Sequence, residues 1–161
     1  MSWDEMFMKT AYLVASKSKD PRTKIGAVLV NERRIVSTGY NGAPRGVADS
    51  PDRYERPEKN FFMAHAEANA IHDCAYRGVS SRGATLYTQG CPCSECSKTL
   101  IQGGVKEIVL HGRWPEMPYS DHWIQSVARS RLMLGEAGIS IRVFEDTLNV
   151  KGLIDGKQVE V

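Results

Sequence analysis

Ile25-Gly26-Ala27-Val28-Leu29-Val30 is an unbroken apolar run within a chain of 161 residues. Apolar residues at every position, rather than every second one, predict a strand buried on both faces, with helices covering the sheet above and below. Asn31-Glu32-Arg33 then makes a tight turn into a second strand, Arg34 to Gly39, so the two read as a hairpin. Upstream, Ser2-Trp3-Asp4-Glu5 is a capping box, and Met6, Phe7, Ala11, Val14 and Ala15 mark one face of a helix. Ser18-Lys19-Asp20-Pro21 ends it, because the residue before proline resists the α region.

Downstream the pattern alternates between helix and strand. Ala64 to about Tyr76 is helical, with Gly78 as its stop, and Ala84 to Thr88 is a third strand. Cys93 opens a helix ending at Gly103-Gly104, and Lys106 to Leu110 is a fourth strand. Ser120-Asp121 caps a further helix whose Ile124, Val127, Ala128, Leu132 and Leu134 are expected to face the sheet, with Gly138 closing it. Ser140 to Phe144 is a fifth strand. A full helix joins strands four and five, so they should be parallel. The reading is a single domain over 1–161, with a core of about 1–146 and a tail at 147–161 that holds a turn at Asp155-Gly156. Residues 40–60 are turn chemistry and charge without sustained periodicity, either one wall of a pocket or a solvated insertion.

Composition narrows the classes. A formal charge of +2 is close to neutral and gives no electrostatic footprint for nucleic acid. No signal-peptide pattern opens the chain, and no apolar run approaches the roughly 20 residues of a membrane span. Three of the four cysteines crowd into Cys91–Cys96, which points to metal or catalytic use in a reducing cytoplasm rather than to a disulfide framework.

The chemistry lies in His65-Ala66-Glu67 and Pro92-Cys93-Ser94-Glu95-Cys96. One imidazole and two thiols can hold Zn2+ with its fourth position open, the mark of a catalytic rather than a structural zinc. Cys93 and Cys96 sit three apart at a helix start, where the helix dipole and a metal both favour thiolates. Glu67 is left free to move protons. Cys93-x-x-Cys96 alone could equally be a redox pair or half of a structural zinc site, and His65 alone a core histidine; together they specify a catalytic centre. Cys74 and Cys91 read as small hydrophobes. His72 lies two turns from His65, and His111 and His122 have no partner spacing.

The pattern His-x-Glu…Pro-Cys-x-x-Cys resembles the zinc nucleobase deaminases, in which the glutamate shuttles protons between water, base and leaving amine. From Ser18 to Phe144 the chain resembles the deoxycytidylate (dCMP) deaminase family. The motifs that carry this are Ser18-Lys19-Asp20-Pro21, Gly26-Ala27-Val28, Gly39-Tyr40-Asn41-Gly42-Ala43-Pro44-Arg45-Gly46, His65 to Ile71 and Pro92 to Cys96. The resemblance implies an α/β fold, a three-layer α/β/α sandwich around a five-stranded mixed sheet. It also implies one catalytic Zn2+ per subunit and conversion of dCMP to dUMP for thymidylate synthesis. His65, Cys93 and Cys96 would be the ligands and Glu67 the proton carrier. Asn41 would grip the sugar, and the Ala66 N–H would read the base carbonyl. Arg22 and Lys24, with Arg113 and Tyr119 on the same expected rim, would meet the 5′-phosphate or else be solvated surface groups. Family habit implies a homo-oligomer, with a hexamer favoured. It further implies dCTP and dTTP as effectors, with Mg2+ accompanying them. Trp114 is a candidate to stack on a base or mark a subunit contact, or a packed tryptophan. The competing readings are a tRNA adenosine or free cytidine deaminase on the same scaffold, and a zinc-stabilised module without turnover.

Overall fold

A computed structural model describes residues 1–115 and 120–161. The elements run α1 (Trp3–Ala15), β1 (Gly26–Asn31), β2 (Arg34–Tyr40), a 3-10 turn (Pro51–Tyr54), α2 (Glu58–Phe62), α3 (Ala66–Arg77), β3 (Thr85–Thr88), α4 (Ser94–Gln102), β4 (Glu107–His111), α5 (Asp121–Glu136), β5 (Ser140–Phe144), β6 (Lys151–Ile154) and β7 (Lys157–Glu160). Five strands form one mixed sheet in the order β2-β1-β3-β4-β5. β1 pairs antiparallel with both β2 and β3. β3, β4 and β5 are mutually parallel, and the helical crossover α5 carries the chain from β4 to β5.

The apolar run behaves as its pattern dictates. Alternate residues of β1 point to opposite faces. Val28 and Val30 join Phe7, Met8, Tyr87, Val109 and Phe144 beneath α1, while Ala27 and Leu29 join Ala66, Ala70, Leu86, Leu100 and Ile108 beneath α3 and α4. The β1–β2 turn places Glu32 and Arg33 at φ 49° and 62°, the left-handed pair that matches hairpin twist. Ser2 caps α1 by accepting the Glu5 N–H at 3.1 Å. The Glu5 carboxylate, in turn, is held below its ordinary range first by Lys9, with the Ser2 backbone among the lesser contributors.

One expectation, the buried face of α5, needs correction, and three open readings are resolved or refined. Ile124 and Leu132 of α5 do not face the sheet; they are 56% and 61% exposed. The buried stripe of α5 is Ser130 and Leu134, one turn apart, because α5 packs on α4 through paired hydroxyls, Ser97 to Ser130 at 2.6 Å and Ser94 to Ser126 at 2.9 Å. A hydrophobicity pattern cannot register a buried face made of serine. Of the alternatives for Trp114, the structure shows the packed tryptophan: it lies in the core, 6.0 Å from the Tyr12 ring and against Gly90 and Gly152. The stretch 40–60 contains the 3-10 turn and leads into α2, and Arg45 docks it onto Asp73 of α3 at 2.7 Å. Residues 147–161, read from sequence as a tail, place Leu148, Ile154 and Val161 in the α1-side core and form the β6–β7 hairpin across Asp155-Gly156.

Candidate active site

Two helices begin at the site, and each begins with a residue of the motif. His65 is the N-cap of α3 and Cys93 the N-cap of α4, both with extended backbone. A cap residue usually spends its side chain on the helix's orphaned N–H groups. His65 makes no such bond, which leaves its imidazole available to a ligand. Cys93 Sγ accepts the Cys96 N–H at 3.5 Å, the geometry that stabilises a thiolate.

The three groups converge. His65 Nδ1 lies 3.4 Å from both Cys93 Sγ and Cys96 Sγ, and the ligand atoms all fall within 4.8 Å of one another. Bonds of about 2.0–2.3 Å to nitrogen and sulfur around a tetrahedral ion put ligand atoms roughly 3.5 Å apart, so the residues present fit zinc. Both sulfurs are buried and the histidine is solvent-facing. The Cys96 hydrogen bond, and then that of His65, pushes the Cys93 thiol down to about 4. Cys96 is correspondingly held up by Cys93 and by burial. The hydrogen bond to Cys93 raises His65. Glu67, the second residue of α3, is only 6% exposed; its Oε2 is 3.7 Å from Cys96 Sγ, and burial pushes its carboxyl up.

Position is set by close backbone approach. A Cβ on Gly39 of β2 would overlap the Ala66 carbonyl oxygen and the Ala70 nitrogen, so glycine lets α3 lie directly on the strand. Ser37 Oγ donates to the Ala70 carbonyl at 2.7 Å, and Asn69 Nδ2 donates to the Tyr40 carbonyl at 2.8 Å. Gly42 and Ala64 exchange backbone bonds at 3.1 and 2.9 Å, which fastens the end of β2 beside His65. On α4, Ser126 of α5 accepts the Ser94 N–H at 2.9 Å and so completes the cap of the cysteine helix.

Of the other expected residues, Ala66 opens α3 fully buried, where first-turn N–H groups have no partner within the helix. The Asn41 amide is committed internally. Its Nδ2 donates to Asp20 and Thr23, and its Oδ1 accepts from Ile25. Arg22 is exposed and pairs with Asp155, and the Lys24 N–H donates to the Leu153 carbonyl at 3.0 Å. Arg113 donates to the Glu145 carbonyl at 3.1 Å. Tyr119 lies outside the described residues. His111 is structural, between the Tyr12 hydroxyl at 2.8 Å and the Asp146 carbonyl at 3.1 Å. Sequence reasoning missed Trp123, whose ring stands 6.4 Å from that of His65 at a 52° tilt. The only signal was its place three residues after the cap Ser120, on the first turn of α5.

Residues 1–112 match the family model for the cytidine and deoxycytidylate deaminase zinc-binding region, and the chain belongs to this family. Deoxycytidylate deaminase of Pongo abelii is 36% identical over 151 residues, covering 89% of this chain and 80% of that protein. The solved dCMP deaminase of cyanophage S-TIM5, in complex with dCMP and dUMP, superposes with a TM-score of 0.69 at 30% identity over 87% of this chain and 95% of that one. A solved tRNA:A34 deaminase, at 19% identity and TM-score 0.53, covers 90% of this chain and 100% of its own, a likeness of fold alone.

Proposed function

We infer that this chain is a deoxycytidylate deaminase, converting dCMP and water to dUMP and ammonia. The convergence of His65, Cys93 and Cys96 beside the buried Glu67 carries this reading. Those three residues would hold a zinc ion, and the chemistry it would supply there is Lewis acidity, which can lower the pKa of water from about 16 to near 7. Glu67 would take one proton from the attacking water and pass it to the ring nitrogen beside the amino-bearing carbon; it would then take the second from the added hydroxyl, as that becomes the new carbonyl, and deliver it to the departing amine. Its burial keeps bulk water from competing for the proton. The Ala66 N–H, at the positive end of α3, suits the base carbonyl. Asn41 is the sugar contact. Arg22, Lys24, Arg113 and Tyr119 form the candidate phosphate rim, where arginine can bind a dianion bidentately.

The near-neutral charge stands against a tRNA substrate. A buried carboxylate beside the thiols would be a pure cost in a zinc module without turnover. The resemblance also supports a homo-oligomer, hexamer favoured, with dCTP and dTTP as effectors accompanied by Mg2+, and a cytoplasmic location. No helix among the described residues is long and apolar enough to cross a membrane.

The deciding experiment compares ammonia release by wild type and Glu67→Gln, with zinc content measured on both. Wild type should act on dCMP in preference to dCTP, deoxycytidine and adenosine-containing tRNA. Glu67→Gln should keep its zinc and lose activity by about 10²–10⁴-fold. A zinc-loaded variant with wild-type turnover would remove Glu67 from its role.

A further inference from the structure

Asp20, in the Ser18-Lys19-Asp20-Pro21 motif, is 1% exposed. Its Oδ1 accepts the backbone N–H groups of Arg22 at 2.9 Å and Thr23 at 3.1 Å. Its Oδ2 accepts Asn41 Nδ2 at 3.2 Å and the Lys59 ammonium of α2 at 2.5 Å. One buried carboxylate thus ties together the 20–25 loop, the end of β2 and the short helix that leads into His65. We propose that Asp20 is a positioning residue that orients the Asn41 amide so that it offers the substrate sugar a hydrogen-bond acceptor and no donor.

The Asn41 bonds impose this orientation. Both protons of Nδ2 are spent, one on Asp20 and one on the Thr23 carbonyl at 2.8 Å. Oδ1 takes the Ile25 N–H at 2.8 Å. A carbonyl oxygen has two lone pairs, so among the described residues one lone pair of Oδ1 is the side chain's remaining capacity. Flipping the amide would set its NH₂ against the Ile25 N–H and its oxygen against two acceptors. Backbone contacts hold Asn41 as well, since Ser18 Oγ donates to the Asn41 carbonyl at 2.7 Å. Resting on the deoxynucleotide reading, the matching donor is evident: a 2′-deoxynucleoside 5′-monophosphate has one free sugar hydroxyl, the 3′-OH. Lys59, 26% exposed, closes the network from the solvent side.

The test measures kcat and KM on dCMP and on 2′,3′-dideoxycytidine 5′-monophosphate, with zinc content and Tm, for wild type, Asp20→Asn, Lys59→Met and Lys19→Ala. Wild type should prefer dCMP by about tenfold or more in kcat/KM, the worth of one well-placed hydrogen bond. Asp20→Asn lets its own amide compete for the partners of Asn41. It should erase most of that preference through KM, with kcat within about threefold and zinc retained, the signature of lost ground-state binding. Lys59→Met should move the preference the same way by a smaller factor. Lys19→Ala, whose lysine pairs on the surface with Asp49 at 3.0 Å, should change nothing. A zinc-loaded Asp20→Asn that keeps the full preference, or loses kcat equally on both substrates, overturns the assignment. If Asp20→Asn does not fold, Lys59→Met decides, and an unchanged preference there overturns it too. Wild type inactive on dCMP would sink the reaction itself, whereas an active wild type with an unmoved preference in the variants sinks only the role of Asp20.

Discussion

The two faces of the sheet are built from different materials. Under α1 the core is large and aromatic: Phe7 stacks 5.6 Å from Trp3 and lies 5.2 Å from Tyr87, and Tyr12 lies 6.0 Å from Trp114. Under α3 and α4 it holds no aromatic ring: Leu29, Leu86, Leu100 and Ile108 are set among the small Ala27, Ala66, Ala70, Cys74 and Ala84, and serine hydroxyls pair between α4 and α5. Bulky side chains bury more area and so supply most of the stabilisation. Small residues let backbones approach until polar groups meet, which fixes position. Both faces bury apolar area, and the one under α3 adds the close backbone approaches that set the geometry of the site.

Substitutions should therefore separate by face. Phe7→Ala, under α1, should cost about 3–5 kcal/mol of stability by opening a cavity, while the folded fraction keeps kcat within about twofold. Chemical denaturation with parallel kinetics measures both, and a large fall in kcat would break the division. Gly39→Ala, on the other face, puts a methyl group into the α3 backbone and must displace the first turn. A shift of that kind should lower kcat about 10²-fold, with a smaller loss of stability of about 1–3 kcal/mol. Wild-type kcat in Gly39→Ala would show that the close approach does not set the site.

The smallest effect is at the mouth of the α1 face. Arg142 donates to Asp4 at 2.6 and 3.0 Å, and chiefly this holds the Asp4 carboxyl below its ordinary value. A depressed carboxyl adds stability that is present above its unfolded pKa, about 3.9, and is lost as pH falls through the folded value. The pair is partly exposed, so Asp4→Asn should cost no more than about 1 kcal/mol near pH 7. The gap to wild type should close below about pH 4. A gap that persists at low pH would assign the effect to packing instead.

The order and type of β1 to β5 and of α1, α3, α4 and α5 were legible because each carries a local signal: the apolar run of β1, the glycine stop of α3 at Gly78, the capping serine of α5; the short α2 and the β6–β7 hairpin carry none as strong. The metal group was legible for the same reason, since both motifs sit at helix starts. What was not legible depends on partners distant in sequence. Beside the expected Leu134, the buried stripe of α5 holds Ser130, whose hydroxyl becomes acceptable only against that of Ser97 in α4. Trp114 is core because Tyr12 and Gly152 meet it there. The engagement of Asn41 rests on Asp20 and Thr23, whose side chain and carbonyl only the folded 20–25 loop brings near. Trp123 offered no spacing to His65 at all.

The β6–β7 hairpin bears on how the enzyme is made. Its Leu153 carbonyl, the Asp155 side chain and the Gly156 N–H hold Lys24 and Arg22 in place, and the Arg22–Asp155 pair spans 133 positions. On a ribosome delivering residues in order, the proposed phosphate rim at 22–24 therefore lacks these bonds until residue 156 has emerged. The zinc ligands, all present by residue 96, are synthesised long before it. The proposed phosphate rim is therefore tied down by later residues than any that hold the metal group, since even the cap of the cysteine helix is complete once Ser126 has been made.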